Sequence, residues 1–335
     1  MCSSKPISFI VPPGPGGVRD YTEQLVRGLK DRGYDARVVV WNGECAGEVD
    51  ECFSFSSCIY IQYSGYGYSS RGAPFWLLRC IQRHREKNIS LGVYFHELFA
   101  FGAPWRSAFW LSPAQRYLSI RLAEISDFWL TNRKASYEWL SNYAPNTRSA
   151  VLPVFSNVGE SSAFSDNRAH SAVIFGGSRL RQKTWISAGR DIFAWADEIG
   201  CQVHDIGPDI SDVSLVSELR RNSVRVHGRL TSAGVEELLS SASYGILTYP
   251  SEFVSKSGVF AAYCAHGVTP IVISESYKGA DALVPGEHYL KRSFLSRGER
   301  SELTVSNVRA SAFSWYQSHS VSKHIEITAL FASNS

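Results

Sequence analysis

Short runs of β-branched and other apolar residues alternate along this chain with longer stretches in which apolar residues recur at helical spacing. The first run is Ile7–Val11, which is followed by a Pro/Gly loop, a helix-like stretch over residues 20–33 and a second apolar run at 36–41. A continuous apolar run of this length predicts a buried strand, and apolar residues three and four positions apart predict a helix packed on it. Strand, helix and strand at this spacing predict a βαβ unit with parallel strands and a right-handed crossover.

The same alternation continues to residue 155 and begins again after a polar interruption. Residues 156–170 are Ser-rich and have no periodicity, which predicts a linker. Beyond them, apolar runs at 172–175, Gln202–Ile206 and 245–249 are separated by helix-like stretches. Two successive βα alternations predict an α/β protein with two Rossmann-like domains that face each other across a cleft.

These patterns also predict the domain boundaries. We expect an N-terminal domain over residues 1–155, the linker at 156–170 and a C-terminal domain over 171–308. Residues 309–331 have helical periodicity, so we expect 309–335 to form a C-terminal helix that packs back on the N-terminal domain.

Composition narrows the class of protein. An apolar fraction of 44% in 335 residues is enough to build large cores, which excludes a mainly disordered protein. A net charge of +3, from 34 basic and 31 acidic residues, is too small for a general nucleic-acid binder. Seven scattered cysteines without a C-x-x-C pair favour a reducing compartment. With neither a signal peptide nor an apolar run of about 20 residues, we expect a cytoplasmic protein.

Five short motifs lie at predicted strand ends, where open α/β sheets bind ligands. They are Gly16-Gly17, His96-Glu97, Gly176-Gly177 followed by Arg179, Arg181 and Lys183, His227-Gly228, and Pro250-Ser251 ahead of Gly267 and Pro270. In this order, over most of the chain, they resemble the retaining GT-B glycosyltransferases of family four. The resemblance implies a GT-B fold and transfer of a sugar, with retention of configuration, from a nucleotide-diphosphate sugar to a saccharide or lipid-linked acceptor. It also implies that no metal or other cofactor is needed.

The resemblance breaks down at the carboxylate signature of that family. A Glu-x7-Glu pair would fall on Val254 and Ala262, and neither residue is acidic. Glu252 lies two positions before the first of them and is a candidate substitute that orients the donor sugar. The histidines are dispersed along the chain and no carboxylate pair has a recognisable spacing, so we expect no metal site.

The family's roles transfer to matching positions as implied roles. Arg179 and Lys183 would stabilise the leaving diphosphate, and Arg181 could take either part; the alternative is an ordinary basic first turn of a helix. His96 would face the transferred sugar, or else be a structural strand-end histidine. Gly16 and Gly17 would approach the donor phosphates, or else form only a tight turn. Gly177 and Gly228 complete the implied donor-binding set.

The segment that replaces the carboxylate signature has its own chemistry. Ser255, Lys256, Ser257 and Gly258 open a predicted helix, whose free N–H groups and dipole favour an anion such as a phosphate. The alternative is a serine N-cap beside a solvated lysine.

Residues 71–121 combine eight basic residues with many aromatic ones. This combination predicts a peripheral membrane contact or a lipid-linked acceptor, or alternatively a solvated helix face over a bulky core. Two further functions stay open. One is a catalytically silent GT-B-like binding or scaffold protein, which the missing carboxylates favour. The other is a different two-Rossmann enzyme such as a sugar-nucleotide epimerase or a phosphorylase.

Overall fold

The computed structural model describes residues 6–43, 46–84, 89–100, 105, 107–161, 164, 168–296 and 301–333. The chain divides into two compact units, the first made of Met1–Pro153 with Val321–Ser335 and the second of Val154–Ser320. No helix within the described ranges combines the length and the apolar character needed to cross a bilayer.

Unit 1 is built on a parallel six-stranded sheet with the strand order β2-β1-β3-β4-β5-β6. The strands are β1 (Ile7–Val11), β2 (Ala36–Val40), β3 (Cys58–Tyr63), β4 (Ser90–Phe95), β5 (Phe128–Thr131) and β6 (Arg148–Val151). The helices between them are α1 (Gly17–Asp31), α2 (Ala46–Phe55), α3 (Gly65–Tyr68), α4 (Phe75–His84), α5 (Ser107–Ile125) and α6 (Lys134–Ser141). The four central strands are buried along their whole length, because helices cover both faces of a parallel sheet.

Unit 2 repeats this architecture with the strand order β12-β11-β10-β7-β8-β9. Its strands are β7 (Ala169–Phe175), β8 (Gln202–Ile206), β9 (Arg225–Gly228), β10 (Ala242–Thr248), β11 (Thr269–Ile273) and β12 (Leu290–Lys291). Its helices are α7 (Ser178–Ile199), α8 (Val213–Arg221), α9 (Ser232–Ser241), α10 (Gly258–Ala265) and α11 (Glu302–Gln317), with 3₁₀ turns at Ser251–Lys256 and Arg292–Leu295. All strand pairs within the two sheets are parallel, as the βα alternation predicts.

The C-terminal segment forms two helices where a single one was expected. Helix α11 belongs to unit 2, the chain turns at residues 318–320, and α12 (Val321–Ser333) belongs to unit 1. There α12 packs on α1 so closely that a Cβ on Gly28 would lie 2.4 Å from Cδ1 of Ile325. Arg32 also donates a hydrogen bond to the Ser322 hydroxyl, at 2.7 Å.

His324 holds α12 in the core of unit 1. Its Nε2 lies 2.9 Å from the carbonyl oxygen of Pro153, so Nε2 carries the proton and donates it. Nδ1 is then the acceptor for the hydroxyl of Tyr21, 2.6 Å away. Burial lowers the pKa of His324 to about 4, because the charged imidazolium loses its hydration there.

We expect the free energy of unfolding to fall as the pH is lowered from about 6.5 to about 4. Over that range His324 is protonated in the unfolded chain but neutral in the folded chain. The stability that neutral His324 contributes is therefore fully present above its unfolded-state pKa and is lost as the pH falls to its folded-state pKa. A pKa lowered from 6.5 to about 4 corresponds to about 3 kcal/mol. Urea unfolding across this pH range should show a shallower dependence for His324→Gln than for the wild type. Burial also lowers the pKa of His204 and His266, so the variant should keep part of the pH dependence. Identical curves for the two proteins would contradict the assignment to His324.

Candidate functional site

The turn from β7 into α7 presents a helix N-terminus. Gly176 has φ +124°, a backbone conformation that favours glycine, and its N–H donates to the carbonyl of Ile206 at 3.2 Å. Gly177 is the exposed N-cap of α7, and among the described residues no side chain caps it or lies within 4 Å of an added Cβ. The first N–H groups of α7 are therefore left to solvent or to a bound ligand.

The N-terminus of α10 lies beside that of α7. A Cβ on Gly176 would come within 3.0 Å of Cγ2 of Val259, the second residue of α10. Each N-terminus carries a partial positive charge from its helix dipole. Two of them side by side are suited to bind an anion that is larger than one phosphate.

Three basic residues in the first turns of α7 point in two directions. Arg179 and Lys183 are four positions apart, so they share one face of the helix, and both are exposed. Arg181 lies on the other side and is only 2% exposed. Arg179 is the second residue of α7, and Lys183 lies about one turn further along the same exposed face.

Arg181 has a structural environment, which differs from its predicted phosphate contact. Its guanidinium forms an ion pair with the fully buried Asp205 on β8, and it donates to the carbonyl oxygens of Gly176, at 3.0 Å, and Pro208. Trp185 donates to the second carboxylate oxygen of Asp205 at 2.7 Å. Burial raises the pKa of Asp205, and the bonds from Trp185 and Arg181 act against that rise. Arg181 therefore ties the β7–α7 turn to the end of β8.

The segment from Ser255 to Gly258 joins a 3₁₀ turn to α10. Ser257 is the N-cap of α10, and its Oγ accepts a hydrogen bond from the N–H of Phe260 at 3.2 Å. Ser255 donates its hydroxyl to the Asp281 carboxylate at 2.6 Å. Both serines are buried, whereas Lys256 and Gly258 are half-exposed. The serines thus shape the turn, and Lys256 and Gly258 are the members of this segment that solvent reaches.

The two positions of the missing carboxylate signature are part of the core. Val254 is 1% exposed and Ala262 is 0% exposed, so unit 2 buries apolar side chains at both. Glu252 lies in the 3₁₀ turn and is half-buried. Its charge contributes to the raised pKa of Tyr289, about 12, although burial of the phenol is the larger cause. Within the 3₁₀ turn that leads into α10, Glu252 is the acidic residue.

Gly228 ends β9 in a left-handed conformation with φ +70°. Its carbonyl accepts the N–H of Gly207 at 2.9 Å, which joins the ends of β8 and β9. The preceding residue, His227, is hydrogen-bonded through Nε2 to Nδ1 of His204 at 2.9 Å. His227 is thus part of a strand-to-strand contact.

In unit 1, two of the predicted site features lie at the carboxyl ends of strands. An added Cβ at Gly16 or Gly17 would meet no atom within 4 Å in the described part of the chain, so this loop is open. His96 follows β4 and is 8% exposed, with Nε2 3.0 Å from Oε1 of Gln62 and its ring edge-on to Tyr21. These contacts fix the ring of His96 in one orientation.

Sequence reasoning missed three residues that shape these regions, which are Gln62, Asp205 and Asp281, and it named Ser251 only as part of a motif. Gln62 is an isolated polar residue in an apolar strand pattern, which is a signal for a buried hydrogen-bonded partner. Asp205 follows His204 in the more polar run Gln202–Ile206, where this signal is absent. Ser251 accepts the N–H of Lys278 at 2.8 Å and donates to the carbonyl of Ser276 at 3.0 Å. Neither this contact nor the one from Ser255 to Asp281 leaves a sequence signal.

Among the residues that the structure describes, no group of three or more His, Cys, Asp or Glu side chains could hold a metal ion. No protein-family model matches the sequence, and no curated protein is similar enough in sequence to count as a relative.

The fold, in contrast, matches solved glycosyltransferase structures of the GT-B type. HepE from Anabaena, solved in complex with UDP-glucose, superposes with a TM-score of 0.61 at 12% identity, over 99% of this chain and 100% of that one. The lipopolysaccharide outer core galactosyltransferase WaaB gives a TM-score of 0.53 at 10% identity, over 97% of this chain and 98% of that one.

A third match is longer than this chain. The pneumococcal O-GlcNAc transferase GtfA, solved with UDP and GlcNAc, gives a TM-score of 0.55 at 10% identity, over 86% of this chain and 59% of that one. At such low identities these matches show the fold alone. They confirm the predicted α/β architecture of two Rossmann-like parallel sheets of the GT-B type.

Proposed function

We propose that this protein is a retaining glycosyltransferase that transfers a sugar from a nucleotide-diphosphate sugar to a saccharide or lipid-linked acceptor. The observation that carries this proposal is the pair of adjacent helix N-termini, α7 and α10, with Arg179 and Lys183 exposed beside them. The GT-B fold supports it, because HepE has this fold and was solved with UDP-glucose. A diphosphate has two charged groups, and two neighbouring helix ends would bind both.

In the proposed reaction, the bond from the anomeric carbon of the donor sugar to the β-phosphate oxygen breaks. The acceptor oxygen attacks the same face and forms the new glycosidic bond, and its proton passes to the departing phosphate. Negative charge therefore grows on the diphosphate. Arg179, Lys183 and the first N–H groups of α7 would stabilise that charge, which is an interaction stronger in the transition state than in the ground state.

The remaining predicted residues have secondary parts in this proposal. In unit 2, Lys256 would add a positive charge near the diphosphate, while Gly177, Gly228 and Gly258 would let the donor approach the backbone. Glu252 would orient the sugar hydroxyls, and Ser255 and Ser257 would hold the turn in shape. In unit 1, His96 would face the transferred sugar, and the loop of Gly16 and Gly17 would approach the donor phosphates and the acceptor. We propose that no bound metal takes part, and that the protein acts in the cytoplasm.

Thermal unfolding with a panel of sugar nucleotides and free nucleotides, without added metal, tests the donor site directly. A ligand at about 100 times its Kd stabilises the folded state by about 2.7 kcal/mol, so even a weak donor raises the melting temperature at millimolar concentration. We expect one donor family to raise it, and the Lys183→Ala variant to lose most of that rise. If no nucleotide raises the melting temperature, unit 2 is not a donor site.

A second candidate function is a catalytically silent GT-B-like binding protein. The observation that favours it is the burial of Val254 and Ala262 where the resembling family has carboxylates. Donor binding without measurable transfer or hydrolysis, across many acceptors, would favour this second function. Turnover of the bound donor would exclude it.

A further inference from the structure

Helices α4 and α5 of unit 1 pack against each other and expose aromatic rings on their outer faces. Trp110 is 72% exposed, and the adjacent Phe109 contacts it edge-on with ring centroids 5.4 Å apart. About two turns further along α5, Tyr117 is exposed and contacts the exposed Phe75 of α4, with ring centroids 6.4 Å apart. Just before α5, Trp105 is 84% exposed. Contiguous exposed apolar patches on a protein surface mark sites that contact a partner or a membrane.

The same outer faces are basic. Arg79 and Arg83 are exposed on α4, and Arg116 is exposed on α5 beside Tyr117. By sequence, the two helices contain four arginines and one acidic residue, Glu124, so their net charge is 4 − 1 = +3. Glu124 forms an ion pair with the fourth arginine, Arg121, at 2.5 Å. The exposed cations therefore accompany the aromatic rings without an opposing acidic surface on these helices.

The opposite faces of both helices account for their folding. Leu77, Leu78 and Ile81 of α4 and Leu118 and Leu122 of α5 are buried in the core of unit 1. The exposed aromatic rings are thus additional to the residues that hold the helices on the sheet. A burial requirement of unit 1 does not explain them.

We infer that this α4–α5 face, defined by Phe75, Arg79, Arg83, Trp110, Arg116 and Tyr117, binds the surface of an anionic phospholipid bilayer. Tryptophan and tyrosine partition to the bilayer interface, where the ring is apolar and its N–H or O–H stays hydrated. Arginines at that depth attract anionic headgroups, and they select an anionic bilayer over a neutral surface. A helix pair lying on the surface with aromatic residues and arginines on one face is the arrangement that interfacial binding requires.

Co-sedimentation of the full chain with vesicles tests this inference. We expect binding to vesicles of phosphatidylcholine with phosphatidylglycerol, and much weaker binding to phosphatidylcholine alone. Raising NaCl from about 0.05 M to about 0.5 M should weaken binding, because the Debye length shortens. Trp110→Ser with Tyr117→Ser should reduce the partition coefficient about tenfold or more. Arg79→Gln with Arg83→Gln should reduce it about fivefold for each arginine removed.

Matched controls lie outside the α4–α5 face. Leu303→Ser removes a 70% exposed apolar side chain from α11, and Arg220→Gln with Arg221→Gln removes two exposed arginines from α8. Both control proteins should bind vesicles like the wild type. All the substituted side chains are exposed, so we expect the melting temperatures of the variants to equal that of the wild type. Measuring them checks that each variant folds.

Three results would overturn the inference. They are wild-type protein that does not bind anionic vesicles, equal binding to neutral vesicles, and binding that the α4–α5 substitutions leave unchanged. Sedimentation of the protein without lipid tests for self-association. Self-association that Trp110→Ser abolishes would assign this face to a second copy of the chain instead of a bilayer. The readout is membrane binding, so it fails or succeeds independently of the proposed sugar transfer.

Discussion

Replacing Lys183 with alanine should lower kcat for sugar transfer about a hundredfold or more while leaving the melting temperature of the free protein unchanged. The size follows from the proposed role, since removing one preorganised donor of positive charge from a developing anion costs about 10²–10³ in rate. The unchanged melting temperature follows from position, because the Lys183 side chain is exposed on α7 and leaves no cavity when it is shortened. Steady-state kinetics with the donor identified by thermal unfolding would measure the effect.

Two further variants distinguish a catalytic from a structural or purely binding role for Lys183. Lys183→Arg keeps the charge and should recover part of the rate. Arg190→Ala removes another exposed cation from the same helix, two turns further from the N-terminus, and should leave kcat unchanged. If Lys183→Ala raised only KM, the lysine would contribute to ground-state binding alone. A rate equal to that of the wild type would remove Lys183 from the site.

The architecture could be predicted from the sequence because parallel strands covered on both faces are continuous apolar runs. Three such apolar runs form strands at the same residues in the structure, namely Ile7–Val11, Cys58–Tyr63 and Phe128–Thr131. The restart of the pattern in the second half likewise predicts a second sheet of the same kind, which the structure contains.

The path of the C-terminal segment could not be predicted in the same way. Helical periodicity runs through residues 309–331, but the chain turns at 318–320 and α12 packs on unit 1. The packing of α12 depends on contacts with distant residues, namely Gly28 beside Ile325 and Tyr21 bonded to His324. A pattern within one segment reports which residues are apolar, but it does not report which of two cores they join.

The candidate site shows the same limit at the level of single side chains. The spacing of Arg179, Arg181 and Lys183 on a helix already implies that the middle residue faces away from the other two. It does not reveal that Arg181 forms an ion pair with Asp205, which lies 24 positions later. Ser255 has its partner Asp281 at a similar separation, 26 positions later. The residues that face solvent could be proposed from motifs, whereas those that hold the turns in place depend on tertiary contacts.

Replacing Arg181 with methionine should have the opposite consequence to Lys183→Ala, although the two residues are neighbours on the same helix. The substitution leaves the Asp205 carboxylate buried, with Trp185 as its remaining side-chain donor among the described residues. It also removes the bonds to the carbonyls of Gly176 and Pro208. Breaking one partner of a buried ion pair costs about 3–5 kcal/mol. Urea unfolding of unit 2 should therefore show a loss of that size.

A double-mutant cycle tests whether the loss comes from the stranded carboxylate. Arg181→Met with Asp205→Leu removes both charges, so it should be more stable than Arg181→Met alone, because an apolar pair can replace a buried ion pair at little cost. If Arg181 bound the donor phosphate instead, Arg181→Met would keep the stability of the wild type and lose donor binding. The first result makes Arg181 a positioning residue for the turn at Gly176, and the second would return it to the group of direct ligands that includes Arg179 and Lys183.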